Sequence, residues 1–248
     1  MLEASVQVQT EISKCYSLAA QQNAYPLIRS ISLHYFCDEE AFDNNSSFSS
    51  HALSDIKLKL SSSPEIFSDE IWEIGELLQG ETLPLQKRPL EIDFNFLDGL
   101  TEEVLVSLNF TLINNKGEEY DLCIKQINML PKNHWGGASR QPDLLAAFVK
   151  PNGLFIDSLI HSCAKKLESH RDSYSVNGYQ SNTREAPYMM AAALWDVLSQ
   201  QDIKYASPPS GFADEGQRIR LPADISKTKI GACLDISVLF ASVLEQIG

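Results

Sequence analysis

From Val6 the chain alternates. Val6, Val8, Thr10 and Ile12 are apolar or β-branched, and Gln7, Gln9 and Glu11 fall between them. A period of two is that of a strand with one buried face. The same texture returns over 25–36 (YPLIRSISLHYF), 52–60 (ALSDIKLKL), 70–78 (EIWEIGELL), 89–97 (PLEIDFNFL), 103–113 (EVLVSLNFTLI) and 118–130 (EEYDLCIKQINML). Clusters of turn formers separate these runs: DNNSSFSS, SSSPE, QGETLP and Asn114-Asn115-Lys116-Gly117. The last reads as a hairpin loop, because Asn and Gly tolerate positive φ. About seven short strands with regular turns predict an antiparallel β-sandwich of immunoglobulin type over residues 1–136. No Cys…Trp…Cys spacing accompanies them, so an antibody-type domain is not implied.

The period changes near Trp135-Gly136-Gly137, and residues 137–248 read as mainly helical. Leu144, Leu145, Phe148 and Val149 form an apolar cluster that Pro151-Asn152 ends or turns. Phe155, Ile156, Leu159, Ile160, Cys163 and Leu167 recur at helical spacing over 153–168. Met189, Met190, Ala193, Leu194, Val197 and Leu198 do so over 185–200. A stretch rich in Pro and Gly, Tyr205 to Lys229, reads as irregular, and 232–247 is a strongly apolar helix. Together these predict an α+β chain of two domains, 1–136 and 137–248. The last helix runs into Gly248 with no later element to cover its apolar faces. That predicts a chain that stops inside a larger protein, although a glycine there also suits an ordinary helix C-cap.

Composition narrows the picture. A chain of 248 residues, 44% hydrophobic, can build two modest cores. No apolar run is long enough to span a bilayer, and the N-terminal MLEASVQVQT lacks the apolar core of a signal peptide. The five cysteines, Cys15, Cys37, Cys123, Cys163 and Cys233, are odd in number and make no CxxC pair. Neither a zinc site nor a disulfide framework is indicated, and a reducing cytoplasm is expected. Residues 1–136 hold 9 Lys/Arg against 21 Asp/Glu, a balance of -12 out of the chain's -13. Such a charge repels phosphate backbones, so direct nucleic-acid binding is disfavoured. No phosphate-cradling glycine loop occurs, and no cofactor, metal or membrane partner is expected.

One segment could carry chemistry. In Lys229-Ile230-Gly231-Ala232-Cys233-Leu234-Asp235 the cysteine falls at the start of the last apolar helix. Unpaired amide groups and the positive end of the helix dipole favour a thiolate there. The same amides could hold an oxyanion. The plainer reading is a cysteine that merely packs, and spacing alone leaves both open.

The chain resembles the N-terminal region of a family of very large bacterial helicase-like proteins, often met in defence-related contexts. The resemblance rests on dispersed strings. They include Gln22-Asn23 with Tyr25-Pro26-Leu27-Ile28, Leu100-Thr101-Glu102, Leu130-Pro131 leading to Trp135-Gly136-Gly137, and Leu144 to Val149 with Pro151-Asn152. Further on come Gly178-Tyr179-Gln180, Tyr205 with Pro208-Pro209-Ser210, Gly216 to Pro222, and Gly231 to Asp235. The resemblance implies an immunoglobulin-like β domain, a transglutaminase-like thiol fold, and helicase-like domains downstream as partners in the same polypeptide. It also implies a protein or peptide partner. Cys233 takes the nucleophile position, on what would be the central buried helix of the fold. A histidine and an acid or amide would follow later in the chain. All five histidines precede Cys233, so this fragment is expected to be inactive. The family more often has Thr where this chain has Ala232.

Tyr179, Gln180, Gln217, Arg218, Arg220 and Asp235 are the candidate binding residues around the thiol. They offer an aromatic platform, two amides, two guanidinium groups and a carboxylate. The arginines could instead pair with Asp214, Glu215 or Asp224. Trp135 could line a groove or simply bury its indole. Glu102-Glu103 and Asp38-Glu39-Glu40 read as solvated strand ends or turns, and Met189-Met190 as core.

Overall fold

A computed structural model describes residues 6–36, 52–170 and 184–247. The fold is mixed α+β, and the chain divides into two compact units, Met1–Lys132 and Asn133–Gly248.

The first unit holds two sheets among its described residues. β1 (Val6–Ile12), β3 (Ile28–Tyr35) and β6 (Thr82–Pro84) form the smaller, with β3 central and both pairings antiparallel. β2 (Cys15–Tyr16), β8 (Glu119–Met129), β7 (Val104–Ile113), β4 (Ala52–Ser63) and β5 (Glu70–Leu78) form the larger, in that spatial order. Alternation sets the faces. Ile56, Leu58 and Leu60 on β4, Val106, Leu108, Phe110 and Leu112 on β7, and Ile127 and Met129 on β8 are buried. Between them stand polar residues such as Lys57 and Lys59, which reach exposed Glu73 and Glu119 at 2.9 and 2.8 Å. Each buried Leu or Phe contributes about 2 kcal/mol, against well under about 1 kcal/mol for an exposed ion pair. The apolar face, not the ion pairs, therefore fixes the register. The β7–β8 hairpin turns at the expected loop. Gly117 has φ of +81°, and the Asn114 side-chain oxygen accepts from the Lys116 and Glu118 amides, each at 2.9 Å.

Several expectations for this unit need correction. The larger sheet is not wholly antiparallel, because β2 runs parallel to β8, Cys15 beside Asn128 and Tyr16 beside Met129. The chain leaves β1 at Ser13, whose amide donates to the Leu27 carbonyl, and by Lys14 it accepts from Asn128 of the other sheet. It then enters α1 (Leu18–Gln22), where Ser17 caps the Ala20 amide. The run 89–97 forms no strand. Asp93 accepts from the Asn95 amide at 2.9 Å and opens α2 (Phe94–Gly99). The local cap outweighs the alternation of Leu90, Ile92, Phe94 and Phe96, of which Ile92 is fully buried while Phe94 is exposed. Asp38, Glu39 and Glu40 lie outside the described residues.

The second unit begins with β9 (His134–Trp135). A 3-10 helix covers Pro142–Phe148, where the sequence suggested an ordinary helix. α3 (Leu154–His170) and α4 (Glu185–Ser199) match the apolar periodicities. The stretch 205–229 is more ordered than expected. After β10 (Lys204–Tyr205) come α5 (Phe212–Glu215), β11 (Gln217–Arg218) and α6 (Pro222–Thr228). Pro222 stands at the first turn of α6, where a missing amide costs nothing. β12 (Ile230–Gly231) and α7 (Cys233–Ile247) close the chain. β10 pairs parallel with β12, and β11 pairs antiparallel with β9. His134 and Trp135, which the sequence assigns to the first domain, thus pair with Arg218 and Gln217 and lie in the second unit.

One apolar core unites this unit. It gathers Ile156, Leu159, Cys163 and Leu167 of α3, Met190, Leu194 and Val197 of α4, Ile225 of α6, and Leu239 and Val243 of α7. α3 makes the main helix contacts, with α4, α6 and α7. Among the described residues, no helix is long and apolar enough to cross a membrane.

A candidate thiol site at the start of the last helix

The first turn of α7 is built around a buried carboxylate. The Ile236 amide donates to the Ala232 carbonyl at 3.1 Å, so Ala232 is the helix cap and Cys233 the first helical residue. Alanine cannot cap with its side chain. Asp235, three positions after the cap, reaches back instead, and its Oδ2 accepts from the Ala232 amide at 2.8 Å. That is half of a capping box. Asp235 is fully buried, and Arg220 satisfies the rest of it. The Arg220 amide donates to Oδ1 at 2.9 Å, and its Nη1 donates to Oδ2 at 3.0 Å. The charge is thus paired and hydrogen-bonded, as a buried carboxylate requires.

These contacts reassign two candidate binding residues. Asp235 is consumed by three donors and has no exposed surface to offer a ligand. Arg220 pairs with Asp235, not with Asp214, Glu215 or Asp224. Gln217 is also buried, on β11 beside Trp135, and its Oε1 has no hydrogen-bond partner among the described residues. Arg218 is exposed on the same strand. Tyr179 and Gln180 lie outside the described residues. Trp135 buries its indole and donates Nε1–H to the Gln141 carbonyl at 2.8 Å, the anchoring role. Gly216 beneath it is obligatory: its φ is +86°, and a Cβ there would lie 1.9 Å from the Trp135 carbonyl oxygen.

Cys233 itself is exposed. Its backbone is pinned from both sides while its sulfur faces solvent. Before it, the Lys204 amide donates to the Lys229 carbonyl at 2.8 Å and the Ala206 amide to the Gly231 carbonyl at 2.9 Å. This two-residue parallel pairing sets Tyr205 alongside Gly231. The Cys233 thiol donates to the Tyr205 hydroxyl oxygen at 3.8 Å. The sulfur in turn raises the Tyr205 phenol above its ordinary range, through that hydrogen bond and through its charge. The phenol therefore remains a donor when the sulfur is ionised. At Gly231 a Cβ would come within 3.0 Å of Ile236 Cδ1, so the glycine allows close packing of strand and helix. Among the described residues no imidazole bonds to the sulfur.

Tyr205, which the sequence offers only as part of a string ahead of Pro208-Pro209, stands beside the thiol, and nothing in the sequence ties it to a cysteine 28 positions later. The tie is the β10–β12 pairing, too short to announce itself.

No protein-family model matches the chain, and no curated protein matches it. A solved structure with partial likeness is the sporulation control protein Spo0M from Bacillus subtilis, at 11% identity. The likeness covers 66% of this chain and 56% of that one, with a TM-score of 0.23, and carries no argument about fold or activity.

Proposed function

We propose that this chain is the N-terminal sensor or recruitment region of a large bacterial helicase-related protein. In this reading an immunoglobulin-like β module precedes a transglutaminase-like thiol fold. The observation that carries it is the placement of Cys233: exposed, first in a fifteen-residue helix, with the helix start locked by Asp235 and Arg220. Free amides of the first turn stabilise a thiolate at that position and the oxyanion it would create. The thiolate attacks a peptide-like acyl carbon, a C–S bond forms, and the C–N bond breaks as the amine leaves with a proton. The resulting thioester passes to water or to another amine. The reading requires a histidine as proton acceptor and an acid or amide to orient it.

Iodoacetamide labelling tests the placement. In the native protein, Cys233 should be alkylated faster than glutathione at neutral pH and below. A rate that only matches glutathione across the pH range removes the activated nucleophile.

One observation favours a second reading, a protein-interaction module without catalysis. The sulfur's partner is a phenol, which cannot serve as a general base near neutral pH. Cys233→Ser in the parent protein separates the two: loss of function supports catalysis, and unchanged function supports the interaction module.

A further inference from the structure

The second unit carries a cavity of about 460 Å³ away from the thiol, between the start of α3 and α6. Its walls are apolar at Leu154, Phe155 and Leu221 and basic at Lys150 and Lys227. Among the described residues no carboxylate lines it, in a chain whose formal net charge is -13. Asp157, the acid in the first turn of α3, lines a separate depression with Ile160 and His161. Among the described residues neither lysine has an ion-pair partner. The cavity therefore sets two ammonium groups, those of Lys150 and Lys227, beside apolar side chains on an acidic protein.

The Asp157 amide donates to the Gly153 carbonyl at 3.0 Å, which makes Gly153 the cap residue of α3. Glycine has no side chain to accept from the first-turn amides, and Leu154, Phe155 and Ile156 all line the cavity. Leu154, which lines the cavity, is 90% exposed. A ligand that covered Leu154 and Phe155 and set an anionic head between the lysines would bury apolar surface and pair its charge with two ammonium groups.

We propose that this cavity binds a small amphipathic anion, a carboxylate or phosphate head on an apolar body. The head lies between Lys150 and Lys227, and the body lies on Leu154, Phe155 and Leu221. The site is independent of Cys233 and of the reaction proposed for it.

The test is an amide NMR titration of the full chain with octanoate and with phenyl phosphate. Octanol and inorganic phosphate serve as the body-only and head-only controls. Both amphipathic anions should shift the Leu154, Phe155 and Ile156 amides in a saturable way, and each control should bind about tenfold more weakly or worse. Octyl phosphate, which shares the body of octanoate, is added to identify the head group: the tighter of the two carries the preferred head. Lys150→Glu with Lys227→Glu should weaken binding by about tenfold or more, because both substitutions replace attraction with repulsion. Both side chains are exposed, so the double variant should keep the wild-type amide spectrum elsewhere. Shifts confined to other residues, or an affinity unchanged by the double variant, would overturn the assignment. So would equal binding of octanol, which would reduce the cavity to a greasy depression.

Discussion

Two thiols in the second unit occupy opposite environments. Cys163 sits inside α3, with no exposed surface, among Ile156, Leu159, Leu194 and Leu239. Burial pushes its thiol up to about 11, because a sulfur anion there would lose its hydration and gain no partner. Cys233 opens α7, exposed, with helix amides behind it and a phenol beside it. The residue type is the same, so what separates a packed sulfur from an accessible one is position along a helix and access to water. Cys163 faces a core that excludes charge. Cys233 stands where a helix concentrates partial positive charge.

The largest expected consequence is kinetic. In the native protein iodoacetamide should modify Cys233 at least about a thousandfold faster than Cys163, whose labelling must await opening of the core. Peptide mapping after timed quenching gives both rates. Comparable rates would show that the second unit opens readily, and the contrast between the two thiols would dissolve.

Next in size is the support beneath Cys233. Asp235→Ala strands the Ala232 amide, the Arg220 amide and a guanidinium that now lacks its carboxylate. The guanidinium left behind is 35% exposed and can be hydrated, so the cost falls below that of a fully buried broken pair, to about 2–3 kcal/mol, to be read from urea unfolding. Cys233→Ala, two residues earlier, should cost less than about 0.5 kcal/mol, since the side chain is exposed. If the two variants are equally stable, the first turn is not held by the carboxylate.

A smaller effect is the pH dependence that Cys163 imposes. Its folded value of about 11 lies above the ordinary 9.0, so the native state holds its proton while the unfolded chain releases it. Stability is therefore fully present below about 9 and declines as pH rises toward about 11. Tyr16, buried in the first unit and pushed up from 10.0 to about 12, acts in the same direction over a higher range. Cys163→Ala should flatten the lower part of the decline in the second unit. An unchanged profile would mean that the thiol is solvated in the folded protein.

How much of this was legible in the sequence follows from the range of each interaction. Six of the seven strand runs and all three long helices follow from apolar period, because burial repeats along the chain and leaves its mark in every residue. Cys233 at the start of α7 is legible for the same reason: the apolar run begins just beyond it. What stays hidden is set by single contacts. The cap at Asp93 turns a strand-like run into α2. The two-residue β2 changes the sense of one sheet edge. Asp235 reads as a ligand group by its charge, yet it is a buried half of a capping box, which only the distances to Ala232 and Arg220 show. The cavity at α3 is equally silent, since Lys150 and Lys227 come together only through the packing of α3 against α6.

The finest contrast between the thiols is the phenol. Cys163 has hydrocarbon around it, whereas Cys233 has Tyr205, held by two backbone hydrogen bonds of the β10–β12 pair. Because the sulfur raises the phenol above its ordinary range, Tyr205 keeps its proton and can donate it to a neighbouring thiolate. The contact is exposed to water, so its effect on the thiolate is modest. Tyr205→Phe removes the hydroxyl and leaves the ring and the strand pairing in place. Alkylation of Cys233 should then slow by about two- to fivefold at neutral pH, with urea stability unchanged. Tyr205→Ala should slow it no further, because the ring itself donates nothing. An increase in rate for Tyr205→Phe would reverse the assignment and make the phenol a shield over the sulfur. A larger loss for Tyr205→Ala than for Tyr205→Phe would place the effect in the ring and in the order it imposes on β10. The pair of variants thus distinguishes a donor from a cover at the one place where Cys233 differs from a bare helix-end thiol.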